Sequence, residues 1–363
     1  MPAFLNGRKP HMKRIQYEPF GWLDFQYVID LAQKHNCCWV YIIGARGIGK
    51  TYGAFKYGHE HDLNYIYLRR TQTQADIAGS DELSPARRYY KDNDLPYYFS
   101  TIKGTKIRVL NEGEKTGEHN VRAIFGSAAT FNNLRGIDAE DISVVFYDEF
   151  VPLASDTMRY DVDEGETVKH CYETINRNRE LFGKEPLIWI SMSNSDQRDN
   201  DLFVYNKLVD TAYRLDKSED EYIIDQKKRT LIIQPKYCPI VDKKEETALY
   251  RSSEDTRFTD VALRNKYADA DIDPVNRPLR EYRLIGGIDG VCYLYEHKSK
   301  MFPTYVSCQQ VGGSKKIYSD TERGREEFRR AFSHIYYRHL SGKIEYNTLE
   351  AYRLFLGIMK KKY

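Results

Sequence analysis

One stretch of this sequence has the spacing of a phosphate-binding loop. Residues 44–51 match the pattern G-x-x-x-x-G-K-[ST] at every fixed position, between an apolar run and a helical pattern. Glycines let the backbone curl so that several N–H groups point at phosphate oxygens. Lys50 can place its ammonium on the β- and γ-phosphates, and the Thr51 hydroxyl can ligate Mg²⁺. The motif predicts an ATP site formed by Gly44, Ala45, Arg46, Gly47, Ile48, Gly49, Lys50 and Thr51.

A second pattern extends the chemistry from nucleotide binding to hydrolysis. The apolar run 142–147 ends in two carboxylates, Asp148 and Glu149. Buried strands rarely end in unpaired charge, because removing a charge from water is costly. We expect Asp148 to hold Mg²⁺ through its water shell and Glu149 to act as the general base that activates water. The alternative is a pair of surface acids at a strand end.

Further polar residues could complete such a site. Asn194 follows the apolar run 187–192, so in a parallel sheet its amide would emerge beside the γ-phosphate; a turn cap is the alternative. Arg177 and Arg179 lie in a predicted helix, and residues two apart on a helix face different ways. At most one of them would therefore point into a neighbouring subunit's site. Arg135 could also reach phosphate, and for each arginine a solvated or ion-paired role is the alternative.

The elements that must position these residues alternate between strands and helices. Strands are predicted over 39–43, 64–68, 105–110, 121–126, 142–147 and 187–192, and helices over 20–35, 51–60 and 167–181. Strands that are apolar on both faces and alternate with helices indicate an α/β fold. That fold is a largely parallel sheet with helices on both faces.

The pattern changes after the polar stretch that follows residue 195. We predict an ATPase domain over 1–200, a linker or lid over 201–230 and a smaller α+β domain over 231–363. Strands of the last domain are predicted over 231–237, 280–286, 290–296 and 303–309, and helices over 322–340 and 346–362.

Composition restricts the remaining function classes. The 363 residues carry a net charge of +2, so nucleic-acid contact would have to come from a local patch. Residues 315–363 offer one, with twelve Lys/Arg against six Asp/Glu and interleaved tyrosines, although solvated helix faces are an equal alternative. The six cysteines form no C-x-x-C pair, which favours reduced thiols in a cytosolic protein. No apolar run is long enough for a signal peptide or membrane span.

Together these landmarks resemble the DNA-packaging ATPases of phi29-like tailed phages. The resemblance covers roughly residues 35–200. It rests on the strings at 43–51, 68–70, 144–150, 177–180 and 191–194, which occur in the same order with similar gaps.

The resemblance implies a P-loop NTPase of the additional-strand, catalytic-glutamate (ASCE) class that uses ATP and Mg²⁺. Such a protein would form a homopentameric ring docked at the procapsid portal in the host cytoplasm. There it would hydrolyse ATP to translocate double-stranded DNA, in some relatives with a structural RNA. Arg177 matches the trans-acting arginine finger, Arg135 a second basic residue presented in trans, and Asn194 the sensing position.

For the second domain the resemblance implies an RNase H-like fold that binds nucleic acid and has lost its nuclease carboxylates. Asp269, Asp271, Asp273 and Asp289 form no clear metal-binding constellation in the sequence. Rival interpretations are a terminase-like motor with an active nuclease and a DNA-binding ATPase switch. A small-molecule kinase is disfavoured by the Asp148–Glu149 pair.

Overall fold

The computed structural model describes residues 12–115, 119–131, 139–151, 164–194, 200–254, 256–265, 274–299, 302–314, 316–340 and 342–359. The chain divides into two compact units. The first consists of Met1–Leu202 with Arg214–Asp269, and the second of Phe203–Tyr213 with Ala270–Tyr363. Arg135 and the acids Asp269, Asp271 and Asp273 lie outside the described residues. Within the described residues, no helix is long and apolar enough to cross a membrane.

A large sheet organises the first unit. In its described part the strands are β1 (Trp39–Ile43), β2 (Asn64–Arg69), β3 (Tyr97–Thr101), β4 (Arg108–Gly113), β5 (His119–Ser127), β6 (Ile142–Asp148), β7 (Ile188–Ser193), β8 (Tyr222–Asp225) and β9 (Thr230–Ile233). They lie in the order β3-β4-β5-β2-β6-β7-β1-β9-β8. The run from β5 to β9 is parallel throughout, and β3, β4 and β8 add antiparallel edges. The predicted α/β architecture with a mainly parallel sheet is confirmed.

The described helices in the first half of the chain are α1 (Phe25–Lys34), α2 (Lys50–Glu60), α3 (Gln72–Ala78), α4 (Ala86–Asp92) and α5 (Glu164–Asn176). They are followed by α6 (Asp201–Tyr205), α7 (Val209–Lys217), α8 (Ile240–Glu245), α9 (Ala248–Ser252) and α10 (Arg257–Ala262). Several begin at side-chain caps: Asp24 accepts from the Tyr27 N–H at the start of α1, and Thr71 forms a capping box with Gln74 on α3.

The central strand β1 shows that both faces of the sheet are covered. Val40 and Ile42 belong to the core cluster that also contains α1 and α2 residues. On the opposite face, the Trp39 ring lies 4.5 Å from the ring of Tyr172 on α5. Because side chains alternate between the faces of a strand, a strand covered on both sides must be apolar at every position. All five residues of β1 are buried accordingly.

The structure corrects the sequence prediction at residues 231–237. That segment was expected to open the second module, but β9 pairs in parallel with β1 and extends the large sheet. Leu231, Ile232 and Ile233 are fully or almost fully buried there. The sequence pattern gave the strand but not its partner, because a short apolar strand carries no signal for the sheet it joins. The first unit accordingly continues to residue 269.

The second unit contains a smaller mixed sheet. Its described strands are β10 (Tyr282–Ile288), β11 (Cys292–His297), β12 (Thr304–Ser307), β13 (Ile317–Tyr318) and β14 (Ile344–Tyr346), in the order β13-β10-β11-β12-β14. Neighbours β10, β11 and β12 are antiparallel, whereas β13 and β14 add in parallel at the two edges. The helices α11 (Glu322–Ala331), α12 (Ser333–Leu340) and α13 (Leu349–Met359) supply residues to its core. The helix predicted over 322–340 is divided at Phe332.

Candidate active site

The loop between β1 and α2 has the backbone geometry that its glycines permit. Gly47 and Gly49 adopt φ values of 71° and 93°, in the left-handed region that other residues rarely occupy. A Cβ added to Gly44 would lie 2.4 Å from the Ile48 side chain. Because Lys50 is the first residue of α2, the free N–H groups of that helix terminus face the loop. Residues 44–51 thus form a cradle suited to an anion.

Lys50 is a buried cation held by neutral oxygens. Its ammonium donates to the carbonyls of Gly44 and Ala45, both at 2.8 Å, and to the Asn194 amide oxygen at 3.2 Å. Burial lowers the pKa of Lys50 to about 8; the Asp148 and Glu149 carboxylates oppose this shift, and the Lys244 and Arg46 charges add to it. Because all three of these hydrogen-bond acceptors are neutral, an anion that replaced one of them would bind the buried ammonium more strongly.

This pKa predicts that nucleotide affinity depends on pH. Below about pH 8 Lys50 is protonated and attracts phosphate, and above that pH the free protein loses the charge. We expect the affinity for a non-hydrolysable ATP analogue to fall about tenfold between about pH 7.5 and pH 9.5. Titration calorimetry across this range would measure the change. Lys50→Met should bind weakly with a much flatter profile, and a flat wild-type profile would contradict the prediction.

Asp148 lies at the carboxyl end of β6, beside the start of α2. Its Oδ2 accepts hydrogen bonds from the Thr51 hydroxyl at 2.9 Å and the Tyr67 hydroxyl at 2.5 Å. The carboxylate is 2% exposed, which explains why it requires these donors. The Thr51 hydroxyl is the donor in its hydrogen bond to Asp148, so its lone pairs remain available to a metal ion. Hard oxygen donors of this kind fit Mg²⁺, which Thr51 and Asp148 would hold.

Glu149 is fixed by a strained backbone and by an arginine. Its φ of 56° lies in the left-handed region, which is unusual for glutamate and is found most often at functional sites. Its N–H donates to the Met192 carbonyl at 2.7 Å. The Arg69 guanidinium donates to the Glu149 carboxylate and, at 3.3 Å, to Asp148. Arg69 therefore bridges the two carboxylates that end β6.

Arg69 is a site residue that reasoning from chemistry alone did not single out. It ends β2, the strand beside β6, and its side chain is 15% exposed. The available signal was the Leu68-Arg-Arg70 string, which contributed to the family resemblance. An arginine at the end of an apolar strand indicates a site for the same reason as the two acids at the end of β6. Each charge at that edge of the sheet needs a partner of opposite charge.

Asn194 follows β7, and its amide oxygen accepts a hydrogen bond from the Lys50 ammonium. Lys50, Thr51, Asp148, Glu149 and Asn194 thus follow or end neighbouring parallel strands at one edge of the sheet. Crevices at the carboxyl ends of parallel strands are where α/β proteins bind ligands. At that edge the structure brings together the anion-binding loop 44–51, the Thr51–Asp148 pair that suits Mg²⁺, and the half-exposed carboxylate of Glu149.

Arg177 and Arg179 were expected to lie on one helix, but the structure places neither of them on α5. Helix α5 ends at Asn176, and Arg177 has a left-handed φ of 48°. Arg179 lies in the following 3₁₀ turn and donates to the carbonyls of Ala139 and Glu140, both at 2.8 Å. Arg179 thus holds the chain before β6, whereas Arg177 is exposed. The change arises because the helix stops at a left-handed residue, a common way for helices to end.

Arg177 lies at the opposite edge of the sheet from the loop of its own chain. The neighbouring Asn176 accepts from the Leu187 N–H, directly before β7 begins. Six residues of β7 then lead to the site edge, a length of roughly 20 Å at about 3.3 Å per residue. Arg177 cannot span that length to reach the cradle of its own chain.

Two solved structures described as phage packaging motors share this fold. A phi-29 viral genome packaging motor assembly aligns with a TM-score of 0.62 at 15% identity, covering 91% of this chain and 98% of that one. A phi-28 gp11 DNA packaging motor aligns with a TM-score of 0.57 at 14% identity, covering 92% and 98%. At such identities these matches establish the shared fold.

Sequence relatives lead to the same group of proteins. The DNA packaging protein of Bacillus phage phi29 is 23% identical over 262 residues, which is 70% of this chain and 67% of the relative. That of Bacillus phage B103 is 26% identical over 239 residues, 64% of this chain and 65% of the relative. A model of the podovirus DNA encapsidation protein (Gp16) family matches residues 27–285. Because that match covers most of the chain, the protein belongs to the podovirus DNA encapsidation protein (Gp16) family.

Proposed function

We propose that this chain is a subunit of an ATP-driven motor that packages viral double-stranded DNA. The observation that carries the proposal is the sheet edge where the buried Lys50 meets Thr51, Asp148 and Asn194. A cation held by neutral oxygens next to a glycine-lined loop suits a triphosphate better than a neutral ligand. Membership in the DNA encapsidation family connects this ATP site with packaging.

The residues of the site divide the chemistry among them. Lys50 and the N–H groups of residues 44–51 bind the phosphates. Bound Mg²⁺, held by Thr51 and Asp148, would neutralise charge on the β- and γ-phosphates. Glu149 accepts a proton from the attacking water, while Arg69 donates to its Oε2 atom and orients the carboxylate. Asn194, in contact with Lys50, links the phosphate cradle to the end of β7.

The position of Arg177 supports action between subunits. At the far edge of its own sheet, Arg177 can contact phosphate only in another copy of the chain. An arginine supplied in trans stabilises the charge that develops on the γ-phosphoryl group. We propose a ring, homopentameric as the family resemblance implies, docked at the procapsid portal in the host cytoplasm. Arg135 as a second trans residue and a structural RNA partner also remain proposals.

For the second unit we propose nucleic-acid binding on an RNase H-like fold. The antiparallel trio β10, β11 and β12 extended by the parallel strand β13 supports this fold. Of the four acids considered for a nuclease, Asp289 lies in the β10–β11 turn, 3.4 Å from the Tyr293 hydroxyl. In the described residues, no group of three or more His, Cys, Asp or Glu side chains could hold a metal ion. The excess of twelve Lys/Arg over six Asp/Glu in residues 315–363 also supports nucleic-acid binding.

The proposal is tested by ATP hydrolysis measured with and without double-stranded DNA. We expect wild-type hydrolysis that DNA stimulates, and a loss of about a thousandfold in Lys50→Ala, because the cradle loses its central cation. Lys56→Ala is the matched control on the same helix, since Lys56 pairs with Glu18 at the surface. Absence of wild-type hydrolysis would refute the proposal. Mg²⁺-dependent cleavage of plasmid DNA would favour the nuclease-active rival, and hydrolysis that supports no packaging into procapsids would favour the ATPase switch.

A further inference from the structure

A lysine from far along the chain lies against the phosphate-binding loop. Lys244 belongs to α8, and its ammonium donates to the Arg46 carbonyl. A Cβ placed on Gly47 would lie 2.8 Å from the Lys244 ammonium nitrogen. The bare backbone of Gly47 therefore leaves the space that this ammonium occupies. The motif 44–51 contains no signal for this contact, because the two segments are almost 200 residues apart.

The segment that carries Lys244 is fastened to the loop at several points. The Arg46 N–H donates at 2.8 Å to the carbonyl of Ala262, the last residue of α10. The Asn265 side chain donates to the carbonyl of Ile43, the last residue of β1, at 3.1 Å. Ala45 and Ile48 share an apolar cluster with Cys238 and Ile240. These contacts fix the position of α8, so the Lys244 ammonium is held beside the loop and is not a freely moving surface charge.

Lys244 also contributes to an excess of positive charge around the cradle. Burial lowers the pKa of Lys244, and the nearby Arg46 lowers it further. Lys244 and Arg46 likewise act to lower the pKa of Lys50. Three cations that oppose one another's charge are compensated when a polyanion binds between them. Asp148 and Glu149 oppose this effect on Lys50, but Arg69 already donates to both carboxylates.

We propose that Lys244 binds the terminal phosphate of ATP, exchanging the Arg46 carbonyl for a phosphate oxygen. This inference rests on the proposed function, and it assigns a phosphate-binding role to a residue outside the motif. A charged phosphate oxygen is a stronger acceptor than a neutral carbonyl, so the exchange is favourable. A lysine can make this exchange of acceptors because its ammonium carries three hydrogen-bond donors on a flexible stem. ATP binding would thereby change the contact between α8 and the loop.

The test compares the binding of two nucleotides by titration calorimetry. Lys244→Met removes the ammonium, which lies 5.2 Å from the centre of the Tyr250 ring, and keeps an unbranched stem of similar length. We expect its affinity for a non-hydrolysable ATP analogue with Mg²⁺ to fall about ten- to a hundredfold, and its affinity for ADP to change less than about threefold. Lys243→Met is the matched control. Its ammonium donates to the Phe20 carbonyl at 2.9 Å, so both affinities should stay close to wild type.

Other outcomes of this experiment are equally informative. Equal losses of both nucleotides, or a lowered melting temperature of the nucleotide-free protein, would show that Lys244 only supports the loop. Unchanged affinities would show that it does not contact phosphate. Either result overturns this inference while the proposed function stands, provided that the wild type binds and hydrolyses ATP. A wild type that binds neither nucleotide would overturn both.

Discussion

Replacing Glu149 by glutamine is expected to abolish ATP hydrolysis and to leave ATP binding intact. Glutamine keeps the size and one acceptor oxygen of the side chain but cannot take a proton from water. Loss of a general base lowers the rate by about a hundred- to ten-thousandfold. The turnover rate of Glu149→Gln and its affinity for ATP, measured on the same preparation, would test this. A variant that binds ATP and does not turn it over is the expected result.

A control for this prediction is Glu60→Gln on α2. Glu60 resembles Glu149 in exposure, with 51% of its side chain accessible against 50%, but its carboxylate lies 3.9 Å from the Lys56 ammonium. Its loss should leave hydrolysis unchanged, because surface ion pairs contribute little. If Glu149→Gln hydrolysed ATP at the wild-type rate, the role of Glu149 as base would be rejected. Asp148 would then be the remaining carboxylate at that edge to examine.

Replacing Arg177 by alanine should have an effect of similar or greater size. A trans-acting arginine that stabilises charge on the γ-phosphoryl group contributes about a thousand- to a hundred-thousandfold to the rate. Because Arg177 lies at the far edge of its own sheet, its loss should leave the folded chain and its nucleotide affinity intact. Hydrolysis under assembling conditions and the thermal melting temperature would separate the two properties.

The matched control for Arg177 is its neighbour Arg179. Arg179 donates to the carbonyls of Ala139 and Glu140 and is largely withdrawn from solvent. Arg179→Ala should therefore lower the free energy of unfolding by about 1–3 kcal/mol, since the carbonyl of the buried Ala139 loses its donor. Its hydrolysis rate per folded protein should remain within a few-fold of wild type. The opposite pattern, with Arg179→Ala inactive and Arg177→Ala active, would transfer the trans role to Arg179.

The parts of the fold that sequence reasoning predicted well are those buried on both faces. The strands predicted over 39–43, 64–68 and 142–147 are present as β1, β2 and β6, because central parallel strands are apolar at nearly every position. The loop 44–51 follows from its glycines and from its place between a strand and a helix. Local physics dominates at these positions, so a local pattern was sufficient.

The parts that sequence reasoning missed depend on distant contacts. The pairing of β9 with β1 joins residues almost 200 positions apart, and nothing in the string 230–233 specifies that partner. The bridge from Arg69 to Glu149 requires β2 and β6 to be neighbours. At the end of α5, the Asn176 side chain accepts a hydrogen bond from the distant Leu187 N–H. Lys244 reaches the loop only because the whole segment after β9 folds back on it.

If Arg177 acts in trans as proposed, the placement of the site residues predicts that one copy of the chain alone is inactive. Lys50, Asp148, Glu149 and Asn194 lie at the carboxyl edge of the parallel strands, whereas Arg177 lies at the amino edge. A site completed in trans makes hydrolysis depend on assembly, which suits a motor whose subunits must act in relation to one another. The same arrangement allows a mutation at the carboxyl edge and a mutation at the amino edge to be placed in different subunits, so that their effects can be separated.

The most direct test of this account is therefore to mix Lys50→Ala with Arg177→Ala and to measure hydrolysis against total protein concentration. Each variant alone should be nearly inactive, and wild-type activity per subunit should rise with concentration as assemblies form. Mixing should restore part of the activity, because some interfaces then pair an intact Lys50 with an intact Arg177. Wild-type activity that is independent of concentration, together with no recovery on mixing, would contradict a site shared between subunits.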